Sequence, residues 1–157
     1  MSENGDQNAQ RIIVGVDGSA PCREALRWGA RIAEPTGASI EAIITWQVPA
    51  GMIGGSYVPV EWNPADEAEK VLSDAVEQAY GSHRPAGLST HVREGEATQI
   101  LLEESEHAEM LVVGSRGLGG FAGLLLGSVS AKCAEHARCP VLVVHEPQPP
   151  SSEPRST

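Results

Sequence analysis

A run of glycine and serine between residues 114 and 130 is the part of this sequence best suited to binding chemistry. It reads GSRGLGGFAGLLLGSVS, so Gly114 is followed by Gly117 and then by the pair Gly127–Ser128. Glycine lets backbone N–H groups approach a phosphate because no Cβ atom intervenes. A helix that begins after such a loop adds unpaired N–H groups and the positive end of its dipole. The spacing therefore predicts a nucleotide site.

The glycine-rich loop lies between a predicted strand, Met110–Val113, and a predicted helix over Ser128–Arg138. A second apolar run, Ile12–Val16, ends at Asp17 and predicts another buried strand followed by a turn. Asp17 and Gly114 thus both lie at the carboxyl ends of strands. In open parallel sheets, ligands bind outside these ends, at the crevice where the strand order reverses. Periodicity alone does not decide whether these two strands are neighbours.

Strands and helices alternate along the chain, which predicts a parallel α/β sheet covered by helices on both faces. The other predicted elements are a helix from Ser19 to near Gly37, a strand over Ser39–Trp46, a helix over 65–80, a strand over Leu88–Arg93, a helix over Glu96–Glu106 and a strand over Pro140–His145. Segment Gln47–Pro64 is rich in proline and glycine and predicts a long connection, functional or mobile. We expect one domain over 11–146, with disordered segments over 1–10 and 147–157.

The composition narrows the classes of function. A formal net charge of −10 argues against binding to nucleic acid or to an anionic membrane surface. The three cysteines show no paired spacing, and the polar N-terminus does not resemble a secretory signal, which fits a reducing cytoplasm. No apolar run approaches the ~18 residues that span a bilayer. We expect a soluble cytoplasmic protein.

Other signatures of chemistry are weak. The sequence contains no Gly-Lys-Ser/Thr of a Walker A motif, no serine elbow and no histidine spacing typical of a metal site. Gly117–Ala122 fits G-x-G-x-x-A but does not open the first βαβ unit. Cys22 lies near a predicted helix start, which favours a lowered thiol pKa, whereas Cys133 falls on an inward stripe. The acidic run 103–109 is typical of a solvated helix face.

Several candidate residues also have plain structural explanations. Asp17 either caps the turn that follows it or contacts a ligand. Ser128 and Ser130 are suited to capping a helix and equally to binding phosphate, since both use the same geometry. Arg116 is either a solvated loop residue or a phosphate contact. Two tryptophans, Trp46 and Trp62, bracket the long connection and either pack over a ligand or anchor the loop.

Three motifs together resemble the universal stress protein family in its single-domain form. They are IIVGVDGS at residues 12–19, the Gly114, Gly117, Gly127–Ser128 spacing, and PVLVVH at residues 140–145. The resemblance covers 11–146, and the glycine spacing is similar to that of the ATP-binding branch. It implies an open five-stranded parallel sheet of order 3-2-1-4-5, like that of the adenine nucleotide alpha hydrolases, which places strands one and four side by side.

The resemblance also implies roles for individual residues. Asp17 matches a contact to the ribose or adenine end, Val16 lines the adenine pocket, and Thr45 recognises adenine through its backbone. Loop Gly114–Gly117 passes the ribose and phosphates, and the helix start Gly127–Ser130 receives the phosphates. The full set of binding residues that we predict is Gly15, Val16, Asp17, Thr45, Val113, Gly114, Ser115, Arg116, Gly117, Gly127, Ser128, Val129 and Ser130.

The function implied by the resemblance is regulatory. It is a stress-response protein that binds ATP, with or without Mg²⁺, forms a homodimer through Val141–Val144 and acts on a regulatory protein. Two alternatives remain open. One is a slow ATPase or self-phosphorylating enzyme, since Ser115, Ser128 and Ser130 lie in the loop, although no general base or metal-binding carboxylate is evident. The other is an interaction module that binds no nucleotide.

Overall fold

The computed structural model describes residues 10–48, 61–117 and 126–147. Within these ranges the elements are β1 Arg11–Val16, α1 Ala20–Thr36, β2 Ser39–Trp46, α2 Pro64–Tyr80, β3 Leu88–Glu94, α3 Ala97–Glu104, β4 Met110–Gly114, α4 Ser128–His136 and β5 Val141–Val144. The strands form one parallel sheet of order β3-β2-β1-β4-β5. This confirms the predicted α/β fold and the adjacency of β1 and β4 that periodicity left open.

Alternation along β1 divides the core between the two faces of the sheet. Ile12 and Val14 belong to the cluster packed under α1 and α2, whereas Ile13 belongs to the cluster under α3 and α4. All three side chains are fully buried. A strand that is covered on both faces has apolar residues at successive positions, and this explains the continuous apolar run Ile12–Val16.

Of the four helices in the described residues, three begin with a side chain that accepts hydrogen bonds from first-turn N–H groups. These side chains are Ser19 for α1, Asn63 for α2 and Glu96 for α3. α1 ends at Gly37, whose φ of 70° lies in the left-handed region that favours glycine. α4 differs, because its N-cap residue is Gly127 and no side chain caps it.

Two predicted helices end earlier in the structure than the periodicity indicates. α3 ends at Glu104 instead of Glu106, because the Ser105 hydroxyl donates to the Leu102 carbonyl at 3.2 Å and the chain turns there. α4 ends at His136 instead of Arg138, because the backbone of Ala137 is already extended. β5 is likewise shorter than predicted, at Val141–Val144.

Some predictions fall mainly on residues that the structure does not describe. The long connection over 47–64 includes residues 49–60, and the predicted disordered ends include 1–9 and 148–157, all outside the described residues. The same holds for most of the Gly117–Ala122 fingerprint. These remain predictions.

An ion network occupies the face of the sheet that α3 covers. Arg11 donates to both carboxylate oxygens of Glu41, at 3.1 and 2.7 Å. Glu104 accepts from Arg93 at 3.2 Å and lies 3.8 Å from Arg11. The hydrogen bond from Arg11 lowers the pKa of Glu41. The prediction that the whole acidic run is solvated is therefore wrong for Glu104, which is half-buried in this network.

Replacing Glu41 by Gln tests this network through its pH dependence. A folded-state pKa below the unfolded value, about 4.3, contributes stability above that pH, and the contribution is lost as pH falls through the folded pKa. We expect Glu41→Gln to lower the free energy of unfolding by about 1 kcal/mol at pH 7, with a smaller difference below about pH 4. Urea unfolding at both pH values measures it. Glu94→Gln, on the exposed end of β3, is the control, and an equal loss there would contradict the assignment.

Candidate functional site

A cavity of about 690 Å³ opens at the carboxyl ends of β1, β2 and β4. The first turns of the helices form much of its wall. Its lining residues are Gly15, Val16, Asp17, Cys22, Ile43, Ile44, Thr45, Glu67, Ala68, Val71, Ala97, Leu101, Val113, Gly114, Gly117, Gly127, Ser128, Val129 and Ser130. All of the predicted binding residues are in this lining except Ser115 and Arg116.

Ser115 holds the loop against the rest of the fold. Its N–H donates to the Val144 carbonyl at 2.8 Å, and its own carbonyl accepts the Gly127 N–H at 2.7 Å. The Ser130 hydroxyl also lies 3.0 Å from that carbonyl. Ser115 is buried, with 2% of its surface exposed. Its backbone thus fixes the start of α4 from behind the cavity wall.

Arg116 lies at the surface, outside the cavity lining given by the described residues. It is exposed, and its carbonyl is 3.4 Å from the Ser19 hydroxyl. The structure does not bring its guanidinium group into the cavity wall. Contact between Arg116 and a ligand stays a prediction.

Asp17 has one carboxylate oxygen that is bound to the turn and one that points at the glycine loop. Its Oδ1 accepts the Ser19 N–H at 2.9 Å and the Ser19 hydroxyl at 2.5 Å. A Cβ atom added at Gly117 would lie 2.6 Å from Oδ2. Asp17 therefore does cap its turn, and its second oxygen is held against the backbone of Gly117 at the cavity.

Gly114 permits the closest backbone approach in the site. A Cβ atom there would lie 2.8 Å from Cβ of Pro21, 2.9 Å from its carbonyl carbon and 3.0 Å from the nitrogen of Cys22. Two of these atoms belong to the backbone of α1, so they have little freedom to shift. Only glycine lets the end of β4 touch the first turn of α1 at this distance.

The amino terminus of α4 presents free N–H groups to the cavity. The Ala131 N–H bonds to the Gly127 carbonyl at 3.0 Å, so the N–H groups of Ser128–Ser130 precede the first intrahelical bond. The Ser130 hydroxyl lies 3.0 Å from the carbonyls of Ser115 and Gly127, and as their donor it does not cap the helix. Residues Gly127–Ser130 all line the cavity. This arrangement is suited to an anion.

The opposite end of the cavity includes residues that the sequence analysis missed. Glu67, Ala68 and Val71 line it from the first two turns of α2, beside Thr45. The Trp62 indole N–H donates to Glu67 Oε2 at 3.2 Å, whereas Trp46 packs against the core. In a parallel sheet each crossover helix begins near the carboxyl ends of the strands. This rule is the only sequence signal that could have indicated the first turn of α2 as part of the site.

The cysteines of the two core clusters behave as buried thiols. Cys22 lines the cavity and is 1% exposed, and burial raises its pKa, so the expectation of a lowered pKa is wrong. Desolvation outweighs the effect of the nearby helix start. Burial also raises the pKa of Cys133 to about 11, which agrees with its place in the core.

Within residues 10–48, 61–117 and 126–147, no group of three or more His, Cys, Asp or Glu side chains is placed to hold a metal ion. In the same part of the chain, no helix has the length and apolar character needed to cross a membrane.

Replacing Gly114 by Ala tests the close contact beneath the cavity. Because the new Cβ would press on the backbone of Pro21 and Cys22, we expect the free energy of unfolding to fall by about 1–3 kcal/mol. The control is Gly127→Ala, where the nearest atom to the new Cβ is 3.4 Å away. There we expect a loss below about 1 kcal/mol. Urea unfolding of both variants measures the difference, and equal losses would mean that Gly114 is not sterically constrained.

Comparison with known proteins gives a consistent result. Residues 8–145 match the model of the universal stress protein family. A universal stress protein of Mycolicibacterium smegmatis is 33% identical, and the match covers 85% of this chain and 47% of the relative. One of Mycobacterium tuberculosis (strain H37Rv) is 32% identical, covering 92% of this chain and 51% of the relative. The chain thus spans about half the length of the curated relatives it matches.

A solved structure shares both the fold and part of the sequence. A universal stress protein crystallised in complex with cAMP superposes with a TM-score of 0.62 and 27% identity, covering 88% of this chain and 98% of the other. Together with the strand order and the match to the family model, this similarity identifies the family of the chain. It belongs to the universal stress protein family.

Proposed function

We propose that this protein binds an adenine nucleotide, with ATP as its main ligand, and acts as a regulatory domain in stress response through contacts with a second copy of itself and with a regulatory protein. The observation that carries the proposal is the uncapped start of α4, which faces the cavity beside Gly114 and Gly117. Free N–H groups at a helix start bind phosphate. At each other described helix a side chain, Ser19, Asn63 or Glu96, already accepts hydrogen bonds from first-turn N–H groups.

Two features of the cavity determine the orientation of the ligand. The cavity runs from α4, beyond β4, across β1 to β2 and α2, a distance of about two strand spacings, or ~10 Å. Phosphates bind at α4, so the base lies against Ala68 and Val71. The carboxylate of Glu67 repels a polyanion from that end. The ligand therefore has one favourable direction.

A relative of known structure supports an adenine nucleotide as the ligand. One family member binds cAMP, which carries the same base and a phosphate.

Mg²⁺ in nucleotide sites is held by one or two carboxylates together with the phosphates. Asp17 and Glu67 are the acidic residues in the lining, and Oδ1 of Asp17 already accepts two hydrogen bonds. A magnesium ion would therefore enter bound to the phosphates of ATP.

A pair of substitutions at Gly127 tests the phosphate site. Gly127 has φ −71° and ψ 169°, the backbone of an ordinary N-cap residue, so Ser is accommodated there. In Gly127→Ser the hydroxyl accepts hydrogen bonds from first-turn N–H groups and so competes with phosphate for the same donors. Compared with Gly127→Ala, we expect it to raise the free energy of unfolding of the unliganded protein by about 1 kcal/mol and to weaken ATP binding about fivefold.

Unfolding in urea with and without MgATP measures both effects. At an ATP concentration a hundred times the dissociation constant, the unmodified protein and Gly127→Ala should each gain about 2.7 kcal/mol. Gly127→Ser should gain less, although it is the more stable variant without ligand. If ATP does not stabilise the unmodified protein, the proposal fails. Equal ATP affinity in the Ser and Ala variants would show that the phosphates do not bind at the start of α4.

The homodimer in this proposal uses the β5 edge of the sheet. β5 pairs with β4 on one side, and Val141–Val143 are half-buried. An edge strand leaves a row of backbone N–H and C=O groups that a second copy can pair with. We also place the protein in a reducing cytoplasm, because Cys22, Cys133 and Cys139 are free thiols.

A lysine on each edge of the sheet tests the dimer. For the unmodified chain of 16.5 kDa, sedimentation equilibrium should give twice that mass. Val143→Lys should shift the protein to the monomer because it places a charge in the interface. Thr90→Lys, on the opposite edge strand β3, is the control and should stay dimeric. Circular dichroism checks that both variants fold, and a dimeric, folded Val143→Lys would exclude the β5 interface.

A further inference from the structure

A carboxylate on α2 lies where the base of the proposed ligand would lie. Glu67 lines the cavity from the first turn of α2, next to Ala68 and close to Val71. The Trp62 indole N–H donates to its Oε2 at 3.2 Å, which orients the carboxylate. Its other oxygen, Oε1, accepts no hydrogen bond from residues 10–48, 61–117 or 126–147. An oriented acceptor thus remains available at this end.

We infer that Glu67 selects the base of the nucleotide by accepting a hydrogen bond from the exocyclic amino group of adenine. The inference rests on the proposed function, because phosphates at the start of α4 are what place the base against α2. Trp62 is then a positioning residue, since it binds Oε2 of this exposed carboxylate and leaves Oε1 without a hydrogen bond from the described residues.

The chemistry of a carboxylate explains why it discriminates. An ionised carboxylate only accepts hydrogen bonds, so it favours a base edge that offers an N–H donor. Adenine offers its amino group at C6. A purine without this group offers only a C–H there, and a keto oxygen would face the carboxylate as a second acceptor. Hydrogen bonds to ionised groups are roughly twice as strong as neutral ones, so a single contact is enough to distinguish these bases.

Glu67 also has a structural explanation, which the test must separate. With Asp66 it places negative charge in the first turn of α2, where it interacts favourably with the helix dipole. A loss of that charge would alter stability, and it would alter the binding of every nucleotide alike. The ratio of two affinities is insensitive to such effects. A difference between bases therefore reports contact with the base.

The experiment is calorimetric titration of the full chain with ATP and with purine riboside 5′-triphosphate, which lacks only the amino group. We expect the unmodified protein to bind ATP about tenfold more tightly. In Glu67→Met the ratio should fall severalfold, and any preference that remains is the one that the Thr45 backbone gives. Glu69→Met makes the same change two residues further along α2, outside the cavity lining, and should keep the full ratio. Trp62→Phe removes the orienting N–H, keeps a smaller aromatic ring and should give an intermediate ratio.

Each other outcome overturns a defined part of the inference. If the unmodified protein binds both triphosphates equally, or if Glu67→Met keeps the preference, Glu67 does not read the base although the nucleotide site stands. A parallel titration with GTP covers the guanine edge, which offers its own N–H donors, and tighter binding of GTP than of ATP would overturn the choice of adenine. If no triphosphate binds, the proposed function itself fails.

Discussion

Close backbone contact between the ends of β1 and β4 is the constraint on which the rest of this structure depends. Gly114 rests against the backbone of Pro21, and Gly117 rests against the carboxylate of Asp17, at distances that no side chain would fit. Because the two strands are neighbours in a parallel sheet, their following loops must leave the same edge side by side. Glycine lets them do so without filling the cavity between them. The cavity exists because side chains are missing at these points.

The helix starts along that edge differ in whether the chain itself supplies acceptors for their N–H groups. Parallel crossovers bring every helix start to the carboxyl ends of the strands, so all four starts compete for acceptors. Ser19, Asn63 and Glu96 supply acceptors from the chain itself. At α4 the chain supplies glycine, and the Ser115 carbonyl binds only the Gly127 N–H and the Ser130 hydroxyl. The first-turn groups beyond them are left for a ligand.

The sequence allowed the fold to be predicted more fully than the site. Apolar runs and helical periodicity identified each element found in the described residues. The adjacency of β1 and β4 needed the family resemblance, since periodicity is local and strand order is not. Ser115 looked like a phosphate contact because it lies in the glycine loop, yet its backbone bonds turn it inward. Glu67 has no distinguishing signal in the sequence, since its place in the cavity wall depends on the crossover that brings α2 there. Cys22 was misjudged because sequence shows its helix start and not its burial.

Charge explains why the proposed phosphate site is built from backbone N–H groups. The chain carries a net charge of −10, and the part of the cavity wall formed by described residues contains Asp17 and Glu67 but no Lys or Arg. The long-range field of such a protein disfavours a polyanion. Backbone N–H groups act differently, because their dipoles are short-ranged and directional and attract only a phosphate that has reached the start of α4. A triphosphate partly neutralised by Mg²⁺ experiences less of the repulsion and keeps the hydrogen bonds. Under the proposed function, the carboxylate of Glu67 that disfavours phosphates at the α2 end is also an acceptor for a base there, so the acidity of the chain contributes to the orientation of the ligand.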